Sequence, residues 1–226
     1  MDEPPQPGLI VEIRGARQGR QRVLVIDDGR ELVFSAETCD ELGVRSGDVL
    51  TDELLKSLEL TEQRTQAHNA ALRLLAHRAR SEREMRARLS MRGIRADIVD
   101  AEIERLRRAG LLDDEQFARA WVEDRKRLSP RGRRLLRYEL LGRGIDPESV
   151  DLATRDVDDL ETALELARSR ARGSAIESYE AFLQKVGGFL RRRGFDFDVI
   201  TQALRTVWAE LVERGEVKPA EEDALA

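Results

Sequence analysis

Apolar and polar positions change rhythm once along this chain. Up to residue 60 the apolar residues fall in short β-branched runs, Leu9 to Ile13, Arg22 to Ile26 and Glu31 to Phe34, and these predict strands. The last two are joined through Asp28-Gly29, a pair suited to a tight primed turn because such turns need positive φ. Ser35 is placed to cap a short helix ending at Gly43, Gly47-Asp48 reads as a further turn, and Asp52 starts a helix expected to reach about Leu58. A β-meander with short helices of this size buries little by itself and is expected to dock on the helices C-terminal to it.

From Thr61 onward the period becomes helical. Leu72, Leu75, Ala76 and Ala79 form a stripe at i, i+3, i+4, i+7. Ser81-Glu82-Arg83-Glu84 has the form of a capping box ahead of a helix carrying Met85 and Leu89. A third helix carries Val99, Ile103 and Leu106 and stops at Gly110. Asp113-Asp114-Glu115-Gln116 opens the next, with a stripe of Phe117, Ala120 and Trp121. Ser129-Pro130 reads as a cap followed by proline at the first helical position, and Asp146-Pro147 as another. The last helices carry Leu160, Ala163, Leu164 and Ala167, then Tyr179, Phe182, Leu183, Val186 and Leu190, then Ile200, Leu204, Val207, Trp208 and Leu211.

These helices repeat. Leucine, three residues, glycine, a large apolar residue, four residues and then valine or isoleucine occur as Leu89-Gly93-Ile94-Val99, as Leu140-Gly144-Ile145-Val150 and as Leu190-Gly194-Phe195-Ile200, with the glycines 51 and 50 residues apart. A glycine just past a helix end supplies the left-handed C′ residue, and the apolar residue after it folds back on the last turn. A fixed period of this size predicts tandem supersecondary units. The expected fold is mainly α: three tandem three-helix, helix-turn-helix-like repeats in an elongated array, at 61–112, 113–157 and 158–214. They follow a disordered leader at 1–7 and a small β-rich domain at 8–60, and an acidic tail spans 215–226.

Composition narrows the chemistry. Charged residues make up 37% and aromatics 4%, so the cores are small and much helix surface is solvated. A single cysteine, Cys39, excludes a disulfide framework, and His68 and His77 read as solvated helix-surface side chains. The acidic, proline-rich start is unlike a signal peptide, no apolar run is long enough to span a membrane, and a cytoplasmic protein is expected. The net charge of −5 is unevenly spread: −6 over 1–60, +7 over 61–147 and −6 over 148–226. A basic middle suits a polyanion or an acidic protein surface.

No Walker loop, Ser-His-Asp set or Cys-His set has a supporting context, so neither a cofactor nor an enzyme activity is expected. Asp27-Asp28, Asp113-Asp114 and Asp158-Asp159 invite a metal reading, but turn chemistry explains the first pair and helix N-termini the others. The candidate binding residues are basic: Arg73, Arg78, Arg80 and Arg86 in the first repeat, and Arg125, Lys126, Arg127, Arg131, Arg133, Arg134 and Arg137 in the second. No acidic residue occurs within 126–138, which favours a binding role there over a solvated face. Tandem helix-turn-helix units could also act as an autonomous DNA-binding protein, although a pI near 5.4 opposes tight duplex binding.

Ala71 through Met85 to Leu89, Gly110-Leu111-Leu112-Asp113-Asp114-Glu115-Gln116-Phe117-Ala118, Tyr138 through Ile145, and Lys185 followed by Phe189 through Phe195 resemble the successive motifs of the RecX family. The resemblance covers about residues 67–213. It departs in the N-terminal extension with strands and in Leu128-Ser129-Pro130-Arg131-Gly132, which differs from the usual glycine-rich approach to the next helix. It implies a monomeric cytoplasmic regulator, not an enzyme, that binds the RecA nucleoprotein filament. Such a protein blocks filament growth and inhibits ATP hydrolysis, strand exchange and coprotease activity by RecA, with weak contact to single- or double-stranded DNA.

Overall fold

The structure is a computed structural model that describes residues 8–172 and 178–217. The leader 1–7 and the end of the acidic tail, 218–226, lie outside the described residues. Contacts divide the chain into two units: one holds the residues up to Arg80 with Glu84–Leu112, the other Ser81–Arg83 with everything from Asp113 on.

The first unit opens with strands β1 (Gly8–Ala16), β2 (Gln21–Ile26) and β3 (Glu31–Ser35), helix α1 (Ala36–Glu41) and a short strand β4 (Val49–Leu50). All pairings are antiparallel, in the order β3-β2-β1-β4. β4 was not legible in the sequence, because a two-residue strand carries no alternation. The meander's second turn differs from the expected primed type. Only Gly29 has positive φ (+88°), with Gly29 N donating to the Ile26 carbonyl and Ile26 N to the Arg30 carbonyl, so Asp27-Asp28-Gly29 is a three-residue loop ending in a left-handed glycine. In the first turn Arg17, Gln18 and Gly19 are all left-handed, at +46°, +58° and +82°. For a residue with a Cβ this costs roughly 1–2 kcal/mol.

Ser35 caps α1 by accepting from Thr38 N, as expected. Helix α2, however, does not end near Leu58. It runs from Asp52 to His77, capped by Thr51 and passing through residue 60, the expected end of the β-rich segment. Its first turns close the sheet's core of Ile10, Leu24, Ile26, Phe34, Cys39 and Leu50 with Leu55 and Leu58. Its last turns join α3 (Glu82–Ser90) and α4 (Ala96–Arg108) around Ala70, Ala71, Met85, Leu89, Val99, Ile103 and Leu106. The buried stripe of this part of α2 is Ala67, Ala70 and Ala71; of the expected Leu72, Leu75, Ala76 and Ala79 only Leu75 packs against the core, partly buried, while Leu72 and Ala76 are exposed and Ala79 lies beyond the helix. His68 is not a solvated histidine either. Its Nδ1 lies 2.8 Å from Oε1 of the buried Glu102.

The second unit holds two further three-helix domains. Helices α5 (Asp114–Leu128), α6 (Arg133–Gly142) and α7 (Pro147–Thr154) enclose Phe117, Ala118, Val122, Leu136, Leu140, Ile145 and Val150. Ala118 and Val122 take the place expected for Ala120, which is exposed. The other domain comprises α8 (Asp159–Arg172), a helical run over α9 (Tyr179–Phe182), a π-helical turn at Leu183–Gly187 and α10 (Gly188–Arg192), and finally α11 (Phe197–Glu213). Phe182, Val186 and Leu190 are four residues apart, a spacing that drifts around an α-helix, and the wider π turn keeps all three buried. The signature leucines Leu89, Leu140 and Leu190 are each 0% exposed, a burial that contributes about 1.5–3 kcal/mol apiece.

Asp27-Asp28 lies in the β2–β3 loop, and the other two acidic pairs are helix chemistry. Asp113 and Asp158 cap their own helices through Gln116 N and Glu161 N. Their neighbours accept further backbone N–H groups within the second unit: Asp114 Oδ1 from Glu82 N at 2.9 Å and Asp159 Oδ1 from Arg133 N at 2.8 Å. Burial pushes both of these carboxyls above the ordinary aspartate range, and the backbone N–H bonds offset only part of that push. Ser129-Pro130 does not start a helix. Ser129 closes α5, and the chain stays extended to Gly132, the N-cap of α6, because Gly132 N donates to the Arg193 carbonyl at 2.9 Å.

Candidate functional site

The basic residues singled out above divide by what their guanidinium groups already hold. In the first unit Arg78 bonds Glu84 at 2.8 Å, Arg80 Nε donates to the Leu74 carbonyl at 3.2 Å, and Arg86 pairs with Asp100. Arg73 is exposed on α2, with no ion pair among the described residues.

The 125–137 cluster is far from a bare row of charge. Trp121 lies between two guanidiniums, Arg125 at 4.0 Å and Arg143 at 3.8 Å from the ring centroid. Glu139 organises this group: it accepts from Trp121 Nε1 at 2.9 Å and from Arg125 Nε at 3.3 Å, and it pairs with Arg131. On α6, Arg133 Nη2 donates to the carbonyls of Val157 (2.7 Å) and Arg155 (3.2 Å), just past the end of α7. Unsatisfied carbonyls at a helix end favour such a cation. Arg134 lies 3.7 Å from Asp196, Arg137 pairs with Asp151, and Arg127 lies 3.4 Å from Asp124. Lys126 is exposed, with no ion pair among the described residues.

The fold thus brings Arg133, Arg134 and Arg137 together beside Asp159, Asp196 and Val199 around a small surface hollow of about 410 Å³. Arg125 and Arg131 are drawn instead onto Glu139, while Arg73, Arg78, Arg80 and Arg86 lie in the other unit. A run without acids in the sequence is neutralised in space by Glu139, Asp151 and Asp196. Sequence reasoning missed Glu139 as the hub. The available signal was Trp121 four residues before Arg125, a spacing that puts both on one helix face. Exposed apolar side chains lie close by in the chain, Tyr138 at 75% and Phe197 at 80% exposure, each next to or one turn from one of these arginines or its aspartate. Scattered singly, such residues carry no site by themselves.

Among the described residues no cluster of three or more His, Cys, Asp or Glu is placed to hold a metal ion, and no helix is long and apolar enough to cross a membrane.

Comparison with known proteins places this arrangement. Residues 67–106, 113–153 and 156–204 match the models of the first, second and third three-helix domains of RecX. The regulatory protein RecX of Geobacillus kaustophilus is 30% identical over 205 residues, covering 87% of this chain and 76% of its own. That of Mycolicibacterium vanbaalenii is 34% identical over 167 residues, 68% of this chain and 91% of its own. A crystal structure of regulatory protein RecX superposes with a TM-score of 0.66 at 20% identity, over 87% of this chain and 98% of that one. The crystal structure of RecX from Lactobacillus salivarius gives 0.58 at 24% identity, over 64% and 96%. At these identities the two structures speak for the fold. Three consecutive domain matches, in order and with their helix junctions at the repeated glycines, lead to one conclusion: the chain belongs to the RecX family of regulatory proteins.

Proposed function

We propose that this protein inhibits the RecA recombinase by binding the RecA–DNA filament as a monomer, suppressing filament growth, ATP hydrolysis, strand exchange and coprotease activity. The observation that carries the reading is the run of three RecX domains along residues 67–204. The basic side chains of the first and second domains, Arg73, Arg78, Arg80 and Arg86 with Arg125 to Arg137, supply the contacts to acidic protein surface and nearby phosphate. An arginine held on a carboxylate can exchange that partner for another anion at modest cost when the pair is exposed, since exposed pairs contribute only about 0–1 kcal/mol. The same pairing speaks against an autonomous, tight duplex-binding protein, because much of the positive charge is already neutralised within the chain.

The test is RecA ATP hydrolysis on single-stranded DNA, titrated with this protein at low and high salt. Inhibition that weakens as salt rises is expected, and no inhibition at either salt would sink the reading. Within that assay, Arg134→Glu with Arg137→Glu is expected to weaken inhibition about tenfold, as is Lys126→Glu combined with Arg73→Glu. Arg133→Glu is a poor probe of binding, because losing its two carbonyl contacts costs stability of about 1–3 kcal/mol. Full inhibition by both double variants would remove the site assignment while leaving the partner in place.

A further inference from the structure

A second group of arginines, without carboxylate partners among the described residues, lies in the first unit, apart from the 125–137 cluster. A cleft of about 780 Å³ in the first unit opens between the β1–β2 turn and α2, and Arg17, Arg20, Arg73 and Arg92 line it. All four are exposed, and none makes an ion pair or side-chain hydrogen bond among the described residues. Arg78, Arg86, Arg127, Arg131, Arg134 and Arg137, by contrast, each hold a carboxylate.

The remaining lining is chosen for polar contact. Gln18, Gln21, Gln66 and Asn69 present amides to the cleft. Its one carboxylate, Glu62, faces the protein: Oε2 accepts from Ser35 N at 2.7 Å and from Thr38 Oγ1 at 2.8 Å, and Oε1 from Gln66 Nε2 at 2.9 Å. The nearby Asp40 lies toward Arg22 at 4.0 Å, and Glu37 accepts from Asn69. The turn that carries Arg17 and Gln18 holds both in the left-handed region, an unfavourable conformation of the kind that collects at binding sites. Ala70 and Ile94 are the only apolar lining residues, and no aromatic is present.

We propose that this cleft binds the phosphodiester backbone of a nucleic-acid strand, with Arg17, Arg20, Arg73 and Arg92 contacting phosphates and the amides contacting sugar and phosphate oxygens. Guanidinium forks match phosphate oxygens, and most nucleic-acid contacts to backbone come from such Arg and amide groups. An acidic protein segment fits less well, since the lining offers no apolar pocket for the anchor side chain that protein interfaces use. Contacts confined to phosphate and sugar carry no base information, so recognition is independent of base sequence. The site goes beyond the proposed function: Arg17 and Arg20 lie outside all three matched domains, with Arg73 and Arg92 in the first, and the test contains no RecA.

Binding of a fluorescently labelled oligothymidylate to the full chain is followed by anisotropy between about 50 and about 200 mM salt. The expected result is binding that weakens with salt. Arg17→Glu with Arg20→Glu is expected to weaken it at least tenfold and to flatten the log–log salt dependence by about 1.4, from roughly 0.7 per single-strand phosphate contact. Arg92→Glu, on a different element, is expected to weaken it as well, while Arg205→Glu on α11, an equal change in net charge, stays within about twofold. Thermal melts accompany each variant, and if the turn variants unfold, Arg17→Gln with Arg20→Gln and Arg92→Glu carry the test. The proposal is overturned by any of three results: no binding at the lowest salt, unchanged binding by folded cleft variants, or displacement of the oligonucleotide by polyglutamate at equal charge concentration.

Discussion

Replacing Gly194 with alanine is expected to destabilise the second unit by about 3–5 kcal/mol. Gly194 has a φ of +83°, so any side chain adds roughly 1–2 kcal/mol of left-handed strain. The larger cost is contact. A Cβ there would lie 2.2 Å from Leu135 Cβ, 2.8 Å from Leu135 N and 3.0 Å from Leu135 Cα, so α6 itself must shift rather than a side-chain tip. Gly132 faces the same joint from the other domain, where a Cβ would meet the Gly194 carbonyl oxygen at 2.5 Å and Phe195 N at 2.8 Å. Its φ of −69° is ordinary, so Gly132→Ala isolates the close approach, with about 2–3 kcal/mol expected. Gly215→Ala, with positive φ but open space around it, is expected to cost only the strain of about 1–2 kcal/mol. Both tryptophans, Trp121 and Trp208, belong to this unit, so urea unfolding followed by their fluorescence reads it directly. A Gly194→Ala midpoint no lower than that of Gly215→Ala would show that the domains do not meet backbone to backbone at this joint.

Glu139→Ala is the second large effect, about 2–3 kcal/mol. Glu139 and its partners Arg125 and Arg131 are each about three-quarters covered or more, at 15%, 25% and 24% side-chain exposure. Removing one partner of a buried pair costs about 3–5 kcal/mol, and partial exposure reduces that. The alanine variant leaves the Trp121 indole N–H without its acceptor and two guanidiniums facing each other. Glu139→Gln keeps the acceptor and loses the charge, so it should fall between alanine and the parent. Raising salt should narrow the gap between the glutamine variant and the parent, because screening weakens the charge interaction that separates them. An alanine variant within about 0.5 kcal/mol of the parent would show that Trp121 packing alone holds this group.

Individual elements show how far the sequence carries. The three repeated glycines lie just past their helices with φ of +76°, +84° and +83°, and the leucines four residues before them are fully buried. Caps at Ser35, Asp113 and Asp146 also act as their residue types require. Stripes fared less well: α2 buries Ala67, Ala70 and Ala71 where leucines had the stronger claim, and α5 buries Ala118 in preference to Ala120. Periodicity gives a spacing, but the choice among phases rests on which neighbour covers the helix, and small alanines suit the close approach of α4. Ser129-Pro130 looked like a helix start because its local chemistry fits one, yet a backbone hydrogen bond to Arg193, 61 residues on from Gly132, keeps the chain extended.

What the sequence by itself determined is the class and order of the parts: a small β-rich start, then three-helix units whose second and third helices meet at a glycine, since caps, turns and spacings act within a few residues. Only the tertiary structure decided where positive charge stays unneutralised. The acid-free stretch 126–138 meets Glu139, Asp151 and Asp196 from neighbouring segments, whereas Arg17 and Arg20, in a net acidic segment, come to lie with Arg73 and Arg92 beside a glutamate already turned to other donors. Electrostatic pairing depends on separation in space, and residues far apart along a chain acquire that separation only when it folds.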